Sequence, residues 1–600
     1  MLNDLALVDW AALTAENVPD LLRSVAAGDS AAFDDLFGEL CDQGTLGDAT
    51  ASSVPFLIRI LDAPAADPQS LLVLLTDIAS ASSPRGQHLT AAARTAVTVG
   101  LPSYLRLLAV HPDDEVRAAA ATLIGALGPA VAGGASAALR TASVTDRADR
   151  VRAGAVMALG SRGDTADDRL ADPAPLVRLA AALVLAAADT ATPLPGPVVQ
   201  ILERDAPDAL ELIEQLAGAD YDDALVWVLR RLRPRWELQV RLVTGWLRHP
   251  VEAVREAAAY AADEPLLLWR PAAALLAGPL ADALDDPAGK VRYWARQHVA
   301  AAGSATAVIA DRLWAALPSD EYTGLLTALC ALHDPRADAH LAQRIADGRL
   351  DRLGDALKEL GPWATACRGV LAAAIEATPP GHRRSSLIEA AGRTGTPAGE
   401  LIPVLRRQAA THPDAVCQVL GDLGPGAAAA LPELAALRAG DNHRTRFQAA
   451  RAIWRITGEP AGALELLRAD AHGADARALI GDLGPAGAEF AGALRALFGS
   501  EDYWEPTEAA IAYWAVTGDA GPVVPVLLPH LECNPRGRKA LACLAEIGPD
   551  AAAAIPVLRA AVDAPLRQWK TSAGNNGVRQ DEAWQAACAA ALRSLEADRS

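Results

Sequence analysis

The segment His111-Pro112-Asp113-Asp114-Glu115-Val116-Arg117-Ala118-Ala119-Ala120-Ala121-Thr122-Leu123-Ile124-Gly125-Ala126-Leu127-Gly128-Pro129 decides the fold. Val116, Ala119, Ala120, Leu123 and Leu127 fall at i, i+3, i+4, i+7 and i+11, one face of an amphipathic helix. Small residues on that face let a neighbouring helix come close. Gly128-Pro129 stops the helix. The phrase then recurs. Val-Arg stands at 116–117, 151–152, 177–178, 254–255 and 291–292, and Pro112, Pro173, Pro250 and Pro287 each lie four residues before a valine. Asp172 and Asp286, or His111 and His249, precede those prolines. Asp followed by Pro predicts a helix start, with Asp capping and Pro at the first helical position. A fixed period of this kind is the mark of a repeat array.

A second phrasing governs the C-terminal third. Leu423-Gly424-Pro425, Leu483-Gly484-Pro485 and Ile547-Gly548-Pro549 each lead into an alanine-rich segment. Trp454 and Trp514 lie 60 residues apart, as do Gly424 and Gly484, so two helical hairpins fill each 60 residues. Alternating strand patterns of any weight are absent.

Composition narrows the function classes. The chain has 600 residues, is 51% hydrophobic and carries a net charge of −20. That excess of carboxylates repels phosphate backbones and favours a basic partner over nucleic acid. Seven scattered cysteines without metal-ligand spacing read as reduced, buried thiols of a cytoplasmic protein. The acidic start, Met1 to Trp10, has no basic n-region, and no signal peptide is expected. No uncharged apolar run reaches the roughly 20 residues of a membrane span, so membrane insertion is not expected.

The blocks Asp-Pro-x-x-x-Val-Arg-x-x-Ala-Ala and Leu-Gly-Pro resemble HEAT repeats, closer to the short bacterial type labelled phycobilisome-lyase-like. The phrase Asp42-Gln43-Gly44-Thr45, Ala49-Thr50, Val54-Pro55-Phe56-Leu57 is similar to the opening of an actinobacterial group of HEAT-repeat proteins of unassigned role. The resemblance implies a fold rather than an activity.

Catalytic signatures are missing: Gly-x-Gly-x-x-Gly, the phosphate-binding loop, His-Glu-x-x-His and Gly-x-Ser-x-Gly do not occur. HEAT-like iron hydroxylases use His-Glu pairs, and none of the eleven histidines here is followed by Glu. His333 and His340, seven apart, read as solvated turn residues. The candidate partner-binding residues are Arg230, Arg231, Arg233 and Arg235 beside Trp236, the aromatic pair Tyr503-Trp504 next to a turn, and Asn575-Asn576 in a polar insertion at 570–581. Interleaved Arg and Trp can grip phosphate and stack a base. The favoured reading is core Trp227, Leu232 and Trp246 with the arginines paired to carboxylates. The regular position of Arg117, Arg152, Arg178, Arg255 and Arg292 argues for bonds between adjacent repeats.

The reading is an all-α, right-handed α-solenoid of about fifteen antiparallel HEAT-like hairpins. Residues 1–95 form a helical cap or degenerate repeats, 96–300 repeats, 301–409 degenerate repeats with a hinge near 375–400, and 410–600 repeats with the 570–581 insertion. The expected function is a non-catalytic scaffold or adaptor that binds a basic protein along its concave face, without metal or cofactor. Two alternatives are an enzyme or chaperone acting on a bound chromophore or small molecule, and a DNA-glycosylase-like HEAT protein.

Overall fold

The turn that opens each Val-Arg copy is built from its first two residues. Asp172 accepts from the Ala174 backbone N–H at 3.0 Å, and Asp286 from that of Ala288 at 2.8 Å. His111 and His249 play the same part through Nδ1, accepting from Asp113 and Val251 at 3.2 Å. The helices start later, at Asp114, Pro175, Glu252 and Gly289. This corrects the expectation that the proline sits at the first helical position. The prolines lie inside the turn because the Val-Arg arginine holds it from below. Arg117 donates to the carbonyls of His111 and Pro112, Arg178 to those of Asp172 and Pro173, and Arg292 to those of Asp286 and Pro287. At Asp334-Pro335 the expected geometry is found: Asp334 accepts from the Arg336 N–H, and the helix Pro335–Ala346 begins on the proline.

Three of the Val-Arg arginines also reach forward into the next repeat. Arg117 makes a two-pronged pair with Asp146 at 2.8 and 2.9 Å, Arg152 with Asp172 at 3.3 and 3.1 Å, and Arg178 reaches the fully buried Asp205 at 2.7 Å. Asp146 and Asp172 are themselves the turn residues of the following copies. The arginine series is therefore a structural ladder.

The computed structural model describes residues 2–600 except 43, 82–86, 132–133, 189–191, 218–222, 320–323, 352, 570–576 and 598–600. It is an all-α solenoid of stacked helix hairpins in two compact units, Met1–Pro265 and Leu266–Ser600. In the first unit the helices Asp114–Ala126, Asp149–Ser161 and Pro175–Ala188 pack directly on one another. Their hydrophobic face is the predicted one: Val116, Leu123, Val151 and Val177 are buried.

Glycine sets how close these helices come. A Cβ on Gly125 would lie 2.8 Å from the Ala158 Cα of the next helix. In the second unit the equivalent contacts join Gly421 to Ala452 and Gly481 to Ala512. Gly125→Ala is expected to force the pair apart and cost about 1–3 kcal/mol, read as a lower melting temperature of the first unit.

In the second unit one layer runs without a break from Gly289–Ala301 through Gly324–Ala331, Gly354–Leu360, His382–Thr394, Pro413–Leu423, His443–Thr457, Gly473–Leu483, Glu505–Thr517 and Pro535–Ile547 to Gly577–Ala597. Each helix packs on the next, whereas contact along the other layer is confined mainly to Pro335–Ala346, Arg368–Ala377 and Ala398–Gln408. The Leu-Gly-Pro phrases close its helices. Gly361, Gly424, Gly484 and Gly548 share one conformation, φ 48 to 72° with ψ near −135°, and each opens a 3-10 turn. Gly361 belongs to the weakest copy in sequence and still builds the same turn.

The last helix also packs on the first, Gly289–Ala301. Trp269 and Leu566 form an antiparallel bridge, with Arg270 N–H donating to the Pro565 carbonyl and Arg567 N–H to that of Leu268. Asp581, fully buried, accepts from Arg270 Nε at 2.7 Å, from the Gln568 N–H at 2.7 Å and from Arg567 at 3.5 Å. Glu582 accepts from the Ser304 N–H and hydroxyl. The described flanks of the predicted insertion thus clasp the start of the unit.

A short antiparallel pairing of Cys41–Asp42 with Thr45–Leu46 was not foreseen. It falls on the Asp-Gln-Gly-Thr phrase, where Gly44 at φ +79° permits the tight turn. Thr50 then ties the phrase down by donating to the Leu40 and Gly47 carbonyls. The stretch Pro535–Asp563 is long and apolar enough on average to cross a membrane. Gly548-Pro549 splits it into two helices, Pro535–Ile547 and Ile555–Asp563, whose apolar faces join the core.

Candidate functional site

The continuous layer of the second unit carries a row of adjoining cavities lined in part by alanine. Its first section, about 380 Å³, lies among Gln418, Asp422, Gln448, Arg451, Arg455 and Asp475. Its second, about 470 Å³, is walled by Arg477, Asp482, Glu508, Ile511, Lys539 and Glu546. A third, about 430 Å³, is lined by Leu541, Ala545, Trp584, Ala587 and Ala591. Arg451 and Ala478 line both the first and the second section, and Ala542 both the second and the third. Neighbouring sections thus share lining residues.

The repeat places its charges. Asp422, Asp482 and Glu546 each stand two residues before the glycine of a Leu-Gly-Pro or Ile-Gly-Pro phrase. Arg455 bridges Asp422 at 2.7 Å and Asp482 at 2.7 Å, and Arg451 reaches Asp482 at 2.6 Å. Burial alone would raise the Asp482 carboxyl, but the two guanidinium groups outweigh it and hold it below the usual carboxylate value. Glu508 accepts from the buried Arg477 at 3.1 Å and from Lys539 at 3.0 Å. Asp482 and Glu508 are therefore each met by two cations.

The predicted residues fall into three groups. Arg230 and Arg233 both turn to Glu264, at 3.5 and 2.5 Å. Arg231 lies over the Trp227 ring at 3.7 Å, and Arg235 donates to the Ala186 and Thr192 carbonyls. Trp236 is half-buried at the start of Trp236–Trp246. Arg230 and Arg233 thus share one carboxylate, whereas Arg231 and Arg235 turn to other neighbours. Tyr503 and Trp504 do meet, edge to face at 5.4 Å, with Arg536 stacked on Tyr503 at 3.9 Å and Lys539 5.3 Å from Trp504. Through Lys539 this pair adjoins the groove. Asn575 and Asn576 lie outside the described residues.

His333 stacks on the exposed Trp363 at 4.9 Å, and His340 sits against Trp314. Among the described residues no cluster of three or more His, Cys, Asp or Glu is placed to hold a metal. All seven cysteines are buried and unpaired. Burial pushes the Cys417, Cys543 and Cys588 thiols up to about 12, so they are not thiolates at neutral pH. The groove residues Arg451, Arg455, Asp482 and Glu546 escaped the sequence reading. The signal was there in the carboxylate that precedes each glycine at the repeat spacing.

No protein-family model matches the chain, and no curated protein is detectably similar to it. Among solved structures it is similar to importin beta crystallised in ammonium sulfate, at 13% identity over 98% of this chain and 96% of that one, with a TM-score of 0.42. It is also similar to Kap121p, at 14% identity, 98% and 78% coverage and a TM-score of 0.42. An AP-3 complex model follows at 11% identity, 78% and 94% coverage and a TM-score of 0.35. At identities and TM-scores this low the likeness carries no argument about function.

Proposed function

We propose that the chain is a non-catalytic, cytoplasmic scaffold or adaptor of the short bacterial HEAT type, which binds a protein along the continuous layer of its second unit. The row of adjoining cavities between Gln418 and Ser594 carries this reading. It is long, open, lined in part by small side chains and edged by fixed charges, which suits an extended surface of another protein better than a small molecule. A basic partner is supported by the charge balance. Carboxylates outnumber Lys and Arg by 15 in residues 1–265 and by 5 in residues 266–600. Such a field speeds association with a cationic surface, and does so less as salt rises.

Ala478 and Ala542 are exposed and stand where the sections meet. Tryptophan at either position fills the groove without entering the core. Affinity capture from the source cell at low and moderate salt, followed by mass spectrometry, is expected to return a stoichiometric protein with the wild type. Ala478→Trp and Ala542→Trp should lose it at least tenfold. Equal capture by both variants, or co-elution of nucleic acid or a chromophore in place of a protein, overturns the proposal.

A further inference from the structure

We infer that the second section of the groove is a subsite for an arginine side chain of the bound protein, with Glu546 as its counter-ion. The inference rests on the proposed binding role and names the chemistry of one contact. It comes from a break in the charge ladder. Asp482 and Glu546 occupy the same place in successive double repeats, two residues before the turn glycine. Asp482 is neutralised by Arg451 and Arg455 of the helix His443–Thr457. Sixty residues on, in register with Trp454 and Trp514, those two positions are Ile511 and Ala515 of the helix Glu505–Thr517.

Glu546 therefore shares a cavity with Ile511, Ala512 and Ala515 where its equivalent has guanidinium groups. It is exposed and makes no hydrogen bond or ion pair with any described residue. The nearby cations are already engaged: Arg477 and Lys539 meet Glu508, and Arg451 meets Asp482. The wall beside Glu546 is made of Ile511, Ala515 and Ala542. An arginine fits both features, since its stem packs on apolar surface and its planar head binds a carboxylate through two parallel N–H donors. The buried Arg477 keeps Nε without an acceptor among the described residues, on the wall of the same cavity.

The test uses the full chain and two fluorescein-labelled peptides, Ala-Gly-Ala-Arg-Ala-Gly-Ala and its counterpart with the neutral isostere citrulline. Anisotropy titration should show the arginine peptide binding about tenfold tighter, the worth of one charge-assisted contact. Glu546→Gln, an exposed change that leaves folding intact, should abolish the preference. Ala515→Arg should abolish it too, by supplying the missing guanidinium from within. It should also raise the melting temperature of the second unit, and lose that gain when combined with Glu546→Gln. Equal binding of the two peptides, or a preference that survives Glu546→Gln, overturns the inference. If Ala542→Trp still blocks protein capture while Glu546→Gln does not affect it, the groove binds and this subsite is wrong. If neither variant affects capture, the groove reading itself has failed.

Discussion

Asp581→Ala is expected to destabilise the second unit by about 3–5 kcal/mol and to release its last helix from its first. Asp581 is fully buried and accepts from Arg270, Arg567 and the Gln568 backbone. Arg270 meanwhile donates to the carbonyls of Ala561 and Ala564, so its head cannot turn to water. Burial already holds the Arg567 guanidinium below the ordinary arginine value, against the pull of Asp581. Removing the carboxylate leaves two like charges side by side in a low-dielectric site. An unpaired buried charge costs far more than a broken surface pair. Amide hydrogen exchange should report it locally, with faster exchange in 561–597 and 266–304 together and little change in 413–517. Asp581→Asn keeps an acceptor for Gln568 and should be milder. Equal stability of Asp581→Ala and wild type would show that the clasp does not hold the unit closed.

The repeat was legible in the sequence because its period is local. Val116, Leu123 and Val151 follow from spacing alone, and so does the role of the Val-Arg arginines. Leu360-Gly361-Pro362, weak as text, builds the same turn as Gly424 and Gly484. The start of each copy was misread because Asp and His were judged by helix-capping preference. In the fold they serve a turn, where an Asp oxygen and a His Nδ1 accept the same N–H. The clasp was not legible. Arg270 and Asp581 are 311 residues apart, Arg270 in an irregular turn and Asp581 near the start of the last helix, so no local spacing links them.

The candidate site was less legible than the fold. The Arg/Trp segment 230–236 stands out in the sequence for its density of charge. Density does not say where side chains point, and those arginines turn to Glu264, Trp227 and two carbonyls. Tyr503 is exposed and Trp504 half-buried, next to Lys539 of the groove wall. Glu546 becomes informative only when set against Asp482 and the helix between them. That comparison needs the register of two helices and not one motif.

Arg152→Ala is expected to destabilise the first unit by about 3–5 kcal/mol at neutral pH, and by much less near pH 3. Arg152 pairs with Asp172, a buried carboxylate, and also donates to the Asp146 carbonyl. Burial by itself raises the Asp172 carboxyl. The bonds from Arg152 outweigh it and hold the group below its usual value, as Arg117 does for Asp146. Asp205 is lowered in the same way by Arg204 and Arg178. In the wild type, then, the unfolded chain binds protons more readily than the folded one. The stabilisation is complete above the unfolded aspartate value of about 3.9 and is lost as pH falls through the lower folded values. Without Arg152, only the Ala174 N–H and Arg169, 3.9 Å away, oppose burial at Asp172, so its folded value rises and the folded state holds its proton more readily than in the wild type. Acid relieves the variant by neutralising the stranded charge while it weakens the wild type, so the two stability curves converge as pH falls. Urea denaturation followed by circular dichroism from pH 7 to 3 measures the gap directly. Asp172→Asn keeps an acceptor for the Ala174 N–H and leaves no charge, so Arg152→Met combined with it should recover most of the loss and show a flatter pH dependence. A gap that stays constant across this range would mean that Arg152 acts by packing and not by charge.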